Sequence, residues 1–105
     1  MSVKVCFMRP ATVGAVGGLA YGTCRASETV SVPGTTQGSA QAAQGEYVLV
    51  LSTESTAILM AVGSTPDASA STETSATTAA MALAPLAEKP VFVKAGDKLS
   101  FASFA

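Results

Sequence analysis

Tyr47-Val48-Leu49-Val50-Leu51 constrains the fold more than any other stretch of this chain. Tyrosine and valine favour extended backbone. In a strand, Tyr47, Leu49 and Leu51 face one way, and Val48 and Val50 face the other. Both faces are apolar, so both call for cover: a core on one side, a neighbouring layer or subunit on the other.

The rest of the chain offers little material for that cover. Among 105 residues, enough for one domain, Ala accounts for 20 and Ser plus Thr for 24, while Val, Ile, Leu and Phe together number 23. Small side chains bury little area, at about 25 cal/mol per Å², against a backbone entropy of roughly 1–2 kcal/mol per residue. An isolated monomer is therefore expected to be marginal. Domains short of core recruit disulfides, metals or partner subunits. The residues offer few metal ligands, and Cys6 and Cys24 allow one disulfide at most. Met-Ser-Val-Lys-Val lacks the charged-then-apolar pattern of a signal peptide. The expectation is synthesis in a reducing cytoplasm, free thiols, and homo-oligomerisation as the remaining source of stability.

Turn signals divide the chain into short strand candidates: Val3–Met8, Thr29–Val32, Tyr47–Leu51, Thr56–Val62, Ala79–Leu83, Pro90–Val93 and Lys98–Phe104. Ala95-Gly96-Asp97 reads as a hairpin turn between the last two, glycine supplying a positive φ. Residues 68–80 hold only Ala, Ser, Thr and Glu73, a low-complexity surface loop. From Ala11 to Tyr21 the chain is apolar but interrupted by Gly14, Gly17 and Gly18, which argues against a helix and leaves it far short of a membrane span. The fold expected is all-β, a small antiparallel β-sandwich or jelly-roll-like domain over 28–105. It is preceded by an N-terminal strand and an extended glycine-rich arm over 1–27.

Candidate chemistry is sparse. With no histidine, the chain has no His-based triad and no His-containing zinc site. Six basic residues and a net charge of −1 do not make a nucleic-acid footprint. The arm's glycines match neither phosphate-loop spacing. The seven carboxylates, Glu28, Glu46, Glu54, Asp67, Glu73, Glu88 and Asp97, are scattered and mostly adjoin turns, where charges ordinarily face water. They show neither acidic calcium-loop spacing nor a persuasive acid/base pair. No catalytic, cofactor-binding or metal residue is assigned.

A resemblance covers about 70% of the chain, from Glu28 to Phe101. Glu28-Thr29-Val30-Ser31-Val32-Pro33-Gly34-Thr35 is followed by a small-residue loop and Glu46-Tyr47-Val48-Leu49-Val50. Then come Ala57-Ile58-Leu59-Met60-Ala61-Val62-Gly63 and Ser64-Thr65-Pro66-Asp67-Ala68, with Pro85 to Ser100 as a closing segment that contains Gly96-Asp97. This succession of strands and turns resembles the small virion structural proteins of tailed bacteriophages. The long arm and the inserted Ala/Ser/Thr stretch 69–78 depart from that pattern.

The resemblance implies a β-sandwich subunit that decorates or cements a capsid shell, or sits near the head–tail junction. Its partners would be the major capsid protein or other virion proteins, without nucleic acid or membrane. Its place would be the virion surface after assembly in the host cytoplasm. The alternative is a tail, fibre or receptor-binding β-module that contacts the host surface. A third reading is an unrelated small bacterial β-domain with an enzymatic or regulatory role. In the arm, Val13, Val16, Leu19 and Tyr21 are the candidate partner-binding residues, because no helix or strand face collects them and exposed apolar stretches mark interaction sites. The competing arrangement folds the arm back as a strand of its own sandwich.

Overall fold

A computed structural model of the chain describes residues 1–9, 23–40 and 46–104. Within them the protein is all-β, with no helix. The strands are β1 (Ser2–Arg9), β2 (Thr23–Ser31), β3 (Gly34–Thr35), β4 (Tyr47–Ser52), β5 (Ile58–Gly63), β6 (Met81–Leu83), β7 (Glu88–Phe92) and β8 (Lys98–Ser103). They form two four-stranded antiparallel sheets, ordered β2-β1-β4-β7 and β3-β8-β5-β6. The pairings nest: β5 with β6, outside them β4 with β7, then β3 with β8, while β2 takes β1 as its partner. Short connections such as 32–33 and 93–97 carry the chain from one sheet to the other.

Strand alternation explains where the core sits. Val3, Val5 and Phe7 of β1 and Val48 and Val50 of β4 point the same way and are fully buried. They belong to one cluster with Ile58, Met60, Val62, Leu83, Leu99 and Phe101 from the other sheet. The few large apolar residues are thus concentrated at alternate positions of the central strands, each contributing about 1.5–3 kcal/mol on burial. Loop residues extend the β3–β8 pairing. Thr36 N–H donates to the Leu99 carbonyl at 2.9 Å, and its hydroxyl accepts from Leu99 N–H at 3.2 Å.

Each strand candidate overlaps an observed strand, all but Thr29–Val32 within about two residues at either end, and Gly96 has the positive φ, 87°, that its turn demands. The hairpin expected around that turn is not formed. β7 pairs with β4 in one sheet, and β8 lies between β3 and β5 in the other. Both edges of β8 are already filled. Pro90, at the centre of β7, lacks an N–H and suits an edge strand. The first sheet has such an edge beside β4.

Two further differences bear on the site. β2 starts at Thr23, well before the regular part was expected to begin, because Thr23–Ser27 pair with β1 although their side chains are small or polar. The segment 64–80 has no strand, as expected, but it is anchored rather than merely solvated. Ala68 and Thr77 are buried, and the Thr77 hydroxyl accepts from Asp67 N–H at 3.0 Å. The Thr78 hydroxyl accepts from Val62 N–H, also at 3.0 Å. Asp67 itself folds a small turn: its carboxylate accepts from the hydroxyl and backbone N–H of Ser69, which hold it below the usual carboxylate range.

Candidate interaction face

The register of the first sheet places three rows of side chains on the face turned away from the core. They are Thr29–Lys4–Leu51–Glu88, Ser27–Cys6–Leu49–Pro90 and Cys24–Met8–Tyr47–Phe92. Both ends of the first row are polar or charged. Toward the third row the face becomes apolar and sulfur-rich. Met8, Tyr47 and Leu49 form a second buried cluster against which Cys6 and Leu51 pack. Beside Tyr47, Phe92 is 82% exposed. Leu86, which precedes β7, is exposed as well.

The two-sided apolarity of Tyr47–Leu51 is therefore realised: Val48 and Val50 enter the main core, and Tyr47, Leu49 and Leu51 build the outer cluster. The Tyr47 hydroxyl is buried without a hydrogen-bond partner among the described residues. Such a group costs about 1–3 kcal/mol relative to a satisfied one. Tyr47→Phe is accordingly expected to leave the unfolding free energy unchanged or raise it by about 1 kcal/mol, measured by chemical denaturation. A loss of 1 kcal/mol or more would assign the hydroxyl a partner.

Beneath this end of the sheet lies a charged arrangement that sequence reading missed. β1 and β2 fall out of register between Phe7 and Met8, and Arg25 is the extra residue of the bulge. Its guanidinium lies 5.4 Å from the centroid of the Phe7 ring and makes two bonds to Glu46, Nε to Oε2 at 2.7 Å and Nη2 to Oε1 at 2.8 Å. Arg25 Nη2 also donates to the Ser39 carbonyl at 3.1 Å. Glu46 was expected to face water, yet its side chain is 1% exposed. The paired guanidinium removes the reason for a carboxylate to stay in solvent. Its bond to Glu46 is also the main reason the Arg25 pKa lies above its ordinary value. Glu28, half-buried on the same side of β2, accepts from Gln37 N–H and Gly38 N–H, both at 2.9 Å. The two carboxylates thus tie residues 37–39 and the start of β4 to β2. No sequence pattern pairs Arg25 with a residue 21 positions away; the bulge does.

Val13, Val16, Leu19 and Tyr21, and the arm from Ala11 to Tyr21 that carries them, lie outside the described residues. Cys6 and Cys24 are free thiols on the outer face. Among the described residues no three His, Cys, Asp or Glu side chains gather as a metal site, and no helix is long and apolar enough to cross a membrane.

A groove of about 720 Å³ opens between the two sheets, floored by Val62, Met81 and Val91 and rimmed by Glu73, Thr74 and Lys94. The chain has no imidazole to activate the groove's hydroxyls. The outer face of the first sheet is suited to docking by shape and apolar contact. Comparison with known proteins found no family model, no curated protein and no solved structure that matches this chain.

Proposed function

We propose that this chain is a structural protein of a tailed-phage virion, a capsid decoration or cement subunit that stabilises the head shell through protein–protein contacts and self-associates. The observation that carries the reading is the outer face of the β2-β1-β4-β7 sheet. It presents Leu51, Pro90 and an 82% exposed Phe92 around a buried apolar cluster, although the opposite face of the same sheet already lies in the core. A large exposed ring beside an apolar cluster is characteristic of interaction surfaces.

The nested pairing supports the architectural part of the proposal. The partners β5–β6, β4–β7 and β3–β8 in two four-stranded antiparallel sheets support a jelly-roll reading, in which β1 would take the place of a final strand beside β2. Jelly rolls recur in viral capsids, and also in lectins and cupins, so the fold supports the proposal without fixing it.

The edges of the first sheet favour assembly through its face. β2 carries a bulge and two core-directed charges, Arg25 and Glu28, and β7 carries Pro90 and Lys89. These are devices that discourage strand addition.

The exposed Phe92 also supports the second reading, a tail, fibre or receptor-binding module, because a free ring can stack on a sugar. One variant tests the docking claim. Light scattering at micromolar concentration should show a dimer, trimer or larger species for the native chain. Phe92→Asp should lose about 2 kcal/mol of association, roughly thirtyfold, with an unchanged melting temperature. Mass spectrometry of purified virions should find the chain in the particle. A stable monomer that is absent from virions would overturn the proposal. Retention on host cells rather than on heads would favour the second reading.

A further inference from the structure

Three sulfur-bearing side chains, from positions 6, 8 and 24, converge on one patch of the outer face. Met8 and Cys24 are directly opposed across the β1–β2 ladder, and Cys6 lies two residues from Met8 on the same side of β1. Cys6 packs against the cluster that contains Met8. Cys24 Sγ donates to the Ala26 carbonyl at 3.3 Å. The patch is graded in depth: Met8 is buried, Cys6 half-buried and Cys24 exposed, so an ion can enter from the Cys24 side. Burial raises the Cys6 pKa above its ordinary value and the neighbouring Cys24 adds to the rise, which the Lys4 ammonium, two residues away on the same face, offsets only in part.

The spacing distinguishes what these sulfurs can do. Cys6 is opposite Ser27 and Cys24 is opposite Met8, so the two cysteines lie diagonally across the bulge rather than directly opposed. A disulfide needs about 4.4–6.8 Å and closely approached Cβ atoms. Two sulfurs bound to one metal ion, each at about 2.3 Å, lie about 4 Å apart. Two thiolates and a thioether, with no imidazole or carboxylate among them, make a soft donor set that selects Cu(I) over harder divalent ions.

We propose that Cys6, Met8 and Cys24 form a binding site for one soft monovalent cation of the Cu(I) class, held by two thiolates and a thioether. Binding forms two metal–thiolate bonds and one metal–thioether bond and releases the two thiol protons to solvent. The metal keeps its oxidation state and no sulfur is oxidised. The ion clips β1 to β2 beside the bulge.

The experiment is an anaerobic titration of the full chain with Cu(I) against the chromogenic chelator bicinchoninate, on the native chain and on Cys6→Ser, Cys24→Ser and Met8→Leu. The expected result is one ion retained per chain, a near-ultraviolet sulfur-to-metal absorption, and a melting temperature raised by the ion. Each serine variant should bind at least a hundredfold more weakly, and Met8→Leu, which conserves volume, about tenfold more weakly. Cys24 is exposed and Met8→Leu is conservative, so these two variants keep the test valid if Cys6→Ser does not fold. No retention against the chelator would overturn the proposal, as would retention indifferent to Cys24→Ser or to Met8→Leu. Alkylation in denaturant of protein prepared without reductant should label both cysteines; blocked thiols would mean the sulfurs are joined to each other and would also overturn it.

Discussion

Arg25→Ala is expected to lower the unfolding free energy by about 3 kcal/mol, one of the two largest losses foreseen for a single substitution in this protein. The reason is the position of its partner. Glu46 has a 1% exposed side chain and takes two guanidinium bonds at 2.7 and 2.8 Å. Removing the guanidinium leaves a carboxylate in a site that excludes water. It also removes the cation over the Phe7 ring and the bond to the Ser39 carbonyl. Chemical denaturation of native and variant chains at pH 7 measures the loss. The double variant Arg25→Met/Glu46→Met should recover most of the loss, because an apolar pair of similar volume avoids the desolvation of two ions. If Arg25→Ala costs less than about 0.5 kcal/mol at pH 7, the pair behaves as an exposed surface bridge and the burial argument fails.

The same pair marks where the sequence stopped being informative. Strand positions were legible because alternation is a local property. Val3, Val5 and Phe7 on one side of β1, and Val48 and Val50 on one side of β4, follow from a period of two, and the core contains them. Turn chemistry was local too, as Gly96 and its positive φ illustrate.

Which strands pair was not local. Residues 90–104 look like a hairpin because glycine sits between two apolar runs, yet the choice of partner was decided by which sheet edge stood free and by the absence of an N–H at Pro90. Glu46 looked solvated because charged residues near turns usually are. Only a bulge that turns Arg25 inward makes its burial affordable. The sulfur patch was hidden for the same reason: Cys6 and Cys24 have no motif spacing, and strand register brings them together. The outer face itself could be read in Tyr47, Leu49 and Leu51, while Phe92 acquires its significance from being placed opposite Tyr47.

The other large effect expected is at Gly63, the last residue of β5. A Cβ there would sit 2.8 Å from both the Ala76 carbonyl carbon and Thr77 Cα, closer still to the Ala76 oxygen. These are backbone atoms, and they cannot rotate aside as a side chain can. The loop 64–80 is held at this point by Thr65 N–H donating to the Ala76 carbonyl at 3.1 Å and Thr78 N–H donating to the Val62 carbonyl at 2.8 Å. A methyl group at 63 must therefore push the loop off the strand, disturbing those bonds and the bond from Asp67 N–H to the buried Thr77 hydroxyl. Gly63→Ala is expected to cost about 3 kcal/mol, at the upper end for overpacking, and to raise hydrogen exchange across 65–78. Gly38→Ala is the matched comparison. Its added Cβ would meet the end of the Glu28 side chain at 3.2 Å and a Phe7 ring atom at 3.6 Å. A flexible carboxylate yields by a few tenths of an ångström, and the more restricted unfolded chain offsets the strain. Its cost should stay within about 0.5 kcal/mol. Equal costs for the two substitutions would mean that the close approach of loop and strand is not what Gly63 is needed for.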